Sequence, residues 1–410
     1  MSQISFKLRQ LAQRMWFLPA AFSVVAVVTL AIAFGMGRLI PDQTNLPFTI
    51  KSAAVENILA VLASSLLTVA VFALSTIVSA LASASSSSTP RAVPLIVGDR
   101  SAQTSISVFI GAFLFSIVGI IGLSAGIYSE AGRLLLFAVT LAIVVIVVAA
   151  LIRWIGQMSA IGRVGQTIDR TGEAARNAFK AVPGEGYMGC RPLEEAPLGD
   201  RVFSRSIGYV QHVDLGRLQD LAEENDLVIS ITARPGAYAA PDRPLMRVEG
   251  TFDDDLAERL AHAFVVGTAR TFDTDPRFGL IVLSEIAQKA LSAAINDPGT
   301  AIAVLATLVR VLGDRPAEDG ELKYDRVLMP PLDPDDLMAD AFRPIARDGA
   351  GNIEVLLRML SGLRTLVHCR PELREAALAM MIDTEERGLA ALTAESDRVL
   401  LKRAANRDDL

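Results

Sequence analysis

The residues able to do chemistry in this 410-residue chain fall into two groups. The first is a row of hydroxyl and amide side chains set inside an apolar stretch: Asn57, Ser64, Thr68, Ser75, Ser79, Ser83 and Ser86. At about 100° per residue they cover roughly a third of a helix circumference. Phe72 and Val61 fall on the same face. Inside a bilayer such a face has two uses. It hydrogen-bonds and packs closely against another helix, or it borders a wet path, with Phe72 and Val61 as constrictions. Both uses stay open at this level. The pore-lining candidates are Asn57, Ser64, Thr68, Phe72, Ser75, Ser79 and Ser83.

The second group is acidic and lies after residue 155. Asn296-Asp297-Pro298 could hold a catalytic Asn–Asp pair, but Asp before Pro is also how a helix starts, as N-cap and first helical residue. His212, His262 and His368 share no ligand spacing. His212-x-Asp214, the acids at 253–255 and Asp333-Pro334-Asp335-Asp336 offer cation-binding oxygens, yet each stands where a helix start or polar turn accounts for it. Gly184-Glu185-Gly186-Tyr187-Met188-Gly189 spells a dinucleotide fingerprint. That fingerprint must open a helix, and Cys190-Arg191-Pro192 follows instead, so the segment reads as a loop. Cys190 and Cys369 lack metal spacing and read as reduced thiols. No nucleophile motif or phosphate loop appears. The expectation is a protein that is not an enzyme, with no metal and no cofactor.

The elements that position these groups divide the chain in two. Four uncharged apolar stretches, at roughly 17–34, 58–81, 106–128 and 134–152, match or nearly match the ~20 residues a helix needs to cross a bilayer, and helices are expected around them at about 17–39, 55–83, 105–128 and 132–153. They define a transmembrane domain over 1–155. Their cores hold no Asp, Glu, Lys, Arg or His, which argues against coupled transport. Lys7, Arg9 and Arg14 precede the first stretch, and Arg153, Arg163, Arg170, Arg176 and Lys180 follow the fourth. That bias places both termini in the cytoplasm, with Trp16 and Trp154 at the same interface. The third stretch carries Gly111, Gly119, Gly122 and Gly126 on one face, a pattern of close helix packing.

After the membrane domain, a juxtamembrane helix is expected over 156–182. A β-rich module over 183–250 follows, with strands near 208–214, 227–232 and 245–249, and then a helical domain over 251–410. The fold class is thus a multi-pass α-helical membrane domain followed by a cytosolic α+β domain with a small β-module and a C-terminal helical bundle. The net charge of −6, without long runs of one sign, excludes a nucleic-acid partner. The expected partners are the lipid bilayer, further copies of the chain, and an ion or small molecule as permeant. Four helices rarely enclose water alone, so conduction requires a homo-oligomer with the second stretch at its axis. A non-conducting sensor or scaffold, binding a ligand or partner protein through its cytosolic half, is the competing reading.

Nearly the whole chain resembles a bacterial family of predicted integral membrane proteins known only as domain of unknown function 2254. Ser88-Thr89-Pro90-Arg91, Asp99-Arg100 and Phe109-Ile110-Gly111-Ala112-Phe113 carry the resemblance in the membrane half. Gly208-Tyr209-Val210, Pro235-Gly236, Pro244-Leu245, Arg270-Thr271, Asp275-Pro276, Phe278-Gly279 and Ile295-Asn296-Asp297-Pro298 carry it beyond. Ala293 stands where the family pattern has proline. The resemblance implies an inner-membrane location and four spans, marks Pro90, Arg91, Asp99, Arg270, Asp275, Asn296, Asp297 and Pro298 as motif residues, and supplies no activity.

Overall fold

The computed structural model describes residues 16–39, 52–87, 89–97, 100–158, 163–316 and 320–406. These fall into two compact units. One holds the described residues up to Ala84 together with Ile96–Arg163; the other holds Ser85–Leu95 together with the chain from Val164 onward.

The membrane unit is built on four helices: α1 (Phe17–Leu39), α2 (Ser52–Ser87), α3 (Arg100–Ser124) and α4 (Glu130–Met158). Three segments are long and apolar enough to span a bilayer, Ser52–Ser79, Gln103–Ser124 and Gly132–Gly156. The apolar run found in α1, Phe17–Ile32, is shorter, so among the described residues three helices qualify as candidate spans where four were expected. Glycine lets α3 pack closely on its neighbours: a Cβ on Gly111 would stand 3.2 Å from Phe22 Cβ of α1, and one on Gly119 would stand 3.1 Å from Leu59 of α2. Leu30 also borders Gly119. The pairs Phe22–Gly111 and Leu30–Gly119 advance together, so α1 and α3 run parallel. Gly122 instead receives the ring of Tyr128. Gly126 corrects the expected glycine face. Helix α3 stops at Ser124, Gly126 has φ +68°, and nothing lies within 4 Å of where its Cβ would be. Its N–H donates to Leu123 and that of Ile127 to Gly122, a Schellman closure that demands a left-handed residue.

Inside this bundle the hydroxyls of Ser107, Ser116 and Thr140 are buried. Each donates to the carbonyl four residues earlier, at 2.5, 2.8 and 2.7 Å. A polar atom away from water is thereby satisfied without a second helix.

The mixed α/β unit opens with α5 (Val164–Ala181). Its main sheet has the order β1 (Cys190–Pro192), β8 (Tyr324–Met329), β4 (Val228–Ile231), β6 (Pro244–Glu249), β2 (Asp200–Phe203). Strand β8 is parallel to both its neighbours, and the remaining pairs are antiparallel. A smaller sheet runs β5 (Tyr238–Ala239), β3 (Gly208–Val213), β7 (Phe264–Gly267). Since β7 and β8 come from beyond residue 250, the expected boundary between a β-module and a helical domain is crossed twice. Strand β8 is short and has charged residues at its start, so its sequence lacks the run of apolar residues that marks a buried parallel strand.

The helices are α6 (Leu215–Glu224), α7 (Asp254–Ala261), α8 (Pro276–Leu291), α9 (Pro298–Gly313), α10 (Pro334–Ala341), α11 (Arg343–Asp348), α12 (Ile353–Cys369), α13 (Arg374–Ala391) and α14 (Glu395–Ala404). Asp214, Asp253, Asp275, Asp297 and Asp333 cap five of them through side-chain oxygens. One apolar core lies among α5 and α8–α14, and a second between the sheets, α6 and α7.

Asp297 shows what such a cap contributes. Its carboxylate accepts from the Thr300 hydroxyl at 2.6 Å and the Thr300 N–H at 3.1 Å. These bonds hold its carboxyl below the usual Asp value. A depressed carboxylate stabilises above its unfolded pKa, and that contribution is lost as pH falls through the lower folded value. Asp297→Ala should therefore cost about 1 kcal/mol at neutral pH. Denaturant titrations should show the deficit shrinking below pH ~4; a deficit that persists there would show that the cap bond is not its source.

Candidate functional site

In α2 the buried positions are Val55, Leu59, Ala63, Leu66, Ala70, Ala73 and Ile77. Asn57, Ser64, Thr68, Phe72, Ser75 and Ser79 are all exposed. At about 100° per residue the centres of these two sets lie on opposite sides of the helix. The polar stripe is thus not a packing seam within the chain's own bundle. It faces outward, toward lipid or another molecule. Ser64 donates to the Val61 carbonyl at 3.1 Å and Thr68 to the Ser64 carbonyl at 3.3 Å. These back-bonds let a hydroxyl face an apolar medium, while its lone pairs remain available to water or to a partner. Phe72 is 63% exposed and meets Trp154 of α4 edge-on, with ring centroids 5.9 Å apart. One flank between the two faces carries Leu67, Val71, Leu74 and Val78, all exposed. Ser83 continues the stripe along the backbone of α2, but its side chain lies outside the described residues.

The chain leaving α2 enters the mixed α/β unit at once. Thr89 caps a single 3-10 turn, Pro90–Ala92. Its hydroxyl donates to Glu285 of α8 at 3.0 Å. Arg91 pairs with the other oxygen of the same carboxylate. Ala92 is buried against Phe278 and Val282, also on α8. A little further on, Arg170 of α5 donates to the Leu95 carbonyl at 3.4 Å. The link between α2 and α3 is therefore bound to the same unit that follows α4.

The other motif residues gather at the start of α8. Arg270 gives Nε and Nη2 to the two oxygens of Asp275 at 2.7 and 2.9 Å, and the Asp275 side chain is 3% exposed. Asp275 also caps α8, accepting from Phe278 N–H at 3.2 Å. Burial pushes its carboxyl upward while Arg270 pulls it down. The Arg270 guanidinium lies 5.5 Å from the Phe278 ring centroid. Gly236, at φ +92°, fits beneath this pair; a Cβ there would stand 2.3 Å from Asp275 Oδ2. Pro235-Gly236, Arg270, Asp275-Pro276 and Phe278 are thus one assembly, and Pro90–Ala92 docks further along the same helix.

The rest disperse. Asn296 has φ +50° in the link between α8 and α9, where Asp297 and Pro298 start α9. His212 is buried on β3, and Asp214 caps α6 through Arg217 N–H at 3.3 Å. His262 is the C-cap that follows α7 and His368 lies on α12, and both are exposed. The 184–189 segment is a loop, and Arg234 and Arg315 donate to its Gly186 and Gly184 carbonyls at 2.7 and 2.6 Å. Asp99 lies outside the described residues. Sequence reasoning missed Glu285, Arg234 and Arg277. A signal existed for Glu285, which stands alone as an acid within the apolar run of α8.

Apolar helices of spanning length, followed in the chain by a mixed α/β unit, define a multi-pass membrane protein. The family model described as "Predicted membrane protein (DUF2254)" matches residues 12–365, and the chain belongs to that family. An uncharacterized protein of Mycobacterium bovis is 26% identical over 334 residues, covering 76% of this chain and 64% of the relative. Uncharacterized proteins from two strains of Mycobacterium tuberculosis match over the same length at 26% and 25%. The chain therefore spans just under two thirds of the length of these curated relatives. No solved structure matches.

Proposed function

We propose that this protein is an oligomeric channel or channel-like pore of the bacterial inner membrane, with α2 at the axis and the mixed α/β unit as its regulatory and assembly domain. The observation that carries this reading is the direction of the α2 stripe. Polar side chains along two-thirds of a membrane helix point away from the chain's own core. Turning them toward copies of themselves hydrates them and leaves the apolar flank to lipid. In this arrangement α1 is the fourth span, both termini are cytoplasmic, and the partners are lipid and further copies. The chain does no catalysis and takes no cofactor.

Regulation follows from the chain leaving α2. Glu285 holds Thr89 and Arg91 within a few residues of the helix end, so movement of α8 pulls directly on the candidate pore helix. Purified full-length protein in planar bilayers should give discrete currents, and Glu285→Gln, which weakens the grip on Arg91, should change open probability while leaving unitary conductance unchanged. Absence of current under voltage, tension and pH change would contradict the proposal.

The second reading is a non-conducting sensor or scaffold. Val61 and Phe72 favour it, because both are exposed on the stripe face and together could seal an axis. It predicts the same oligomer without current.

A further inference from the structure

The mixed α/β unit contains a cavity of about 310 Å³, bordered by the 232–237 turn, the start of α8 and the 330–336 segment. Three guanidinium groups and three carboxylates face it: Arg234, Arg270, Arg277, Asp275, Asp333 and Asp336. Their pairing is uneven. Arg270 is saturated by Asp275. Arg277 gives Nε to Asp340 at 2.6 Å and is also paired with Asp336. Arg234 has no carboxylate partner among the described residues. It gives one Nη to the Pro330 carbonyl and the other to the Gly186 carbonyl at 2.7 Å. A guanidinium has five N–H groups, so two bonds leave donors for a ligand.

Neutral carbonyls fix the orientation of Arg234 but do not balance its charge. Burial pushes its pKa down to about 10, and the nearby Cys190 and Asp275 offset this only in part, the response of a desolvated cation with no directly bonded counter-charge. Two backbone anchors therefore hold a planar fork in place at the wall of a cavity whose other cations are already matched. A fork of that kind is suited to the two oxygens of a carboxylate or phosphate.

We propose that this cavity binds a small organic molecule carrying a single oxyanion group, received by Arg234. The volume lies at the small end of the range for ligand pockets, roughly 300–1,000 Å³. Asp333 and Asp336 disfavour a second oxyanion group and can accept from a hydroxyl or ammonium on the ligand body. The cavity sits where α8 begins, and Glu285 lies about 13 Å further along the same helix. Occupancy and the hold on Thr89 and Arg91 thus share one rigid element. Binding itself does not rest on the pore reading.

The test uses the full-length chain in detergent micelles. Its thermal unfolding midpoint is measured with millimolar lactate, serine or glycerol phosphate, against glycerol and pyrophosphate. At least one single-oxyanion probe should raise the midpoint, and neither glycerol nor pyrophosphate should match it. A response to lactate or serine alone assigns a carboxylate ligand, and one to glycerol phosphate alone a phosphate ester. Arg234→Lys keeps the charge but loses the fork, and should weaken the response about tenfold or more. Mass spectrometry of wild-type protein treated with phenylglyoxal provides a readout that needs no variant: the effective probe should protect Arg234 from modification. No shift with any of the three probes, an undiminished response in folded Arg234→Lys, or unprotected Arg234 would overturn the proposal.

Discussion

Asp275→Ala should destabilise the mixed α/β unit by about 3–5 kcal/mol, the cost of breaking a buried ion pair from one side. The carboxylate is 3% exposed and bonded twice by Arg270, which is itself only 19% exposed. Removing it leaves a buried guanidinium without a counter-charge. It also removes the cap of α8, worth about 1 kcal/mol alone. The loss should be largely cooperative, because Phe278, the residue whose N–H is capped, also stacks with Arg270 and packs against Ala92. Asp275→Asn should cost less, since an amide oxygen can still cap. In a double-mutant cycle, Arg270→Ala should recover part of the Asp275→Ala loss by removing the orphaned charge. Denaturant titration of the full chain checks all of these. A loss under about 1 kcal/mol for Asp275→Ala would show that the pair is dispensable, and the description of this assembly as the anchor of α8 would fail.

The second large effect concerns the membrane. Ser75→Trp places the bulkiest side chain at the middle of the exposed stripe. If copies of α2 surround a path, conductance should fall by about tenfold or more, because every subunit adds its ring to the same constriction. The matched change Val78→Trp sits on the apolar flank and should leave conductance unaltered. Equal effects from both, at equal expression and assembly, would show that the stripe has no special place.

How much of this was legible beforehand depends on the scale of each signal. The apolar stretches for α2, α3 and α4 were readable because a spanning helix must be apolar all round. The capping role of Asp297 was readable because Asp before Pro at a helix start is a local pattern. The direction of the α2 stripe was not readable. Periodicity shows that polar residues share a face but not what covers that face; the burial of Leu59, Leu66 and Ala73 decides it. Strand β8 escaped for a similar reason, as its partners β1 and β4 are about a hundred residues away in sequence. The Thr89–Glu285 bond joins residues 196 positions apart, and no local pattern in either segment points to the other. Gly126 misled because it keeps the helical spacing of Gly119 and Gly122, although the helix has already ended.

The central claim is that the outward face of α2 meets water rather than lipid. Cysteine accessibility in native membranes tests it most directly. Cys190 is buried and Cys369 exposed, so a Cys369→Ser chain is the background. Single cysteines at Ser64, Thr68, Ser75 and Ser79 are compared with cysteines at Leu67, Val71, Leu74 and Val78, using a charged thiol reagent. Only a hydrated thiol ionises to the reactive thiolate, so the stripe positions should react faster by about an order of magnitude or more. Equal, slow reaction at both sets would place the stripe in lipid or in a dry seam, and would contradict the account.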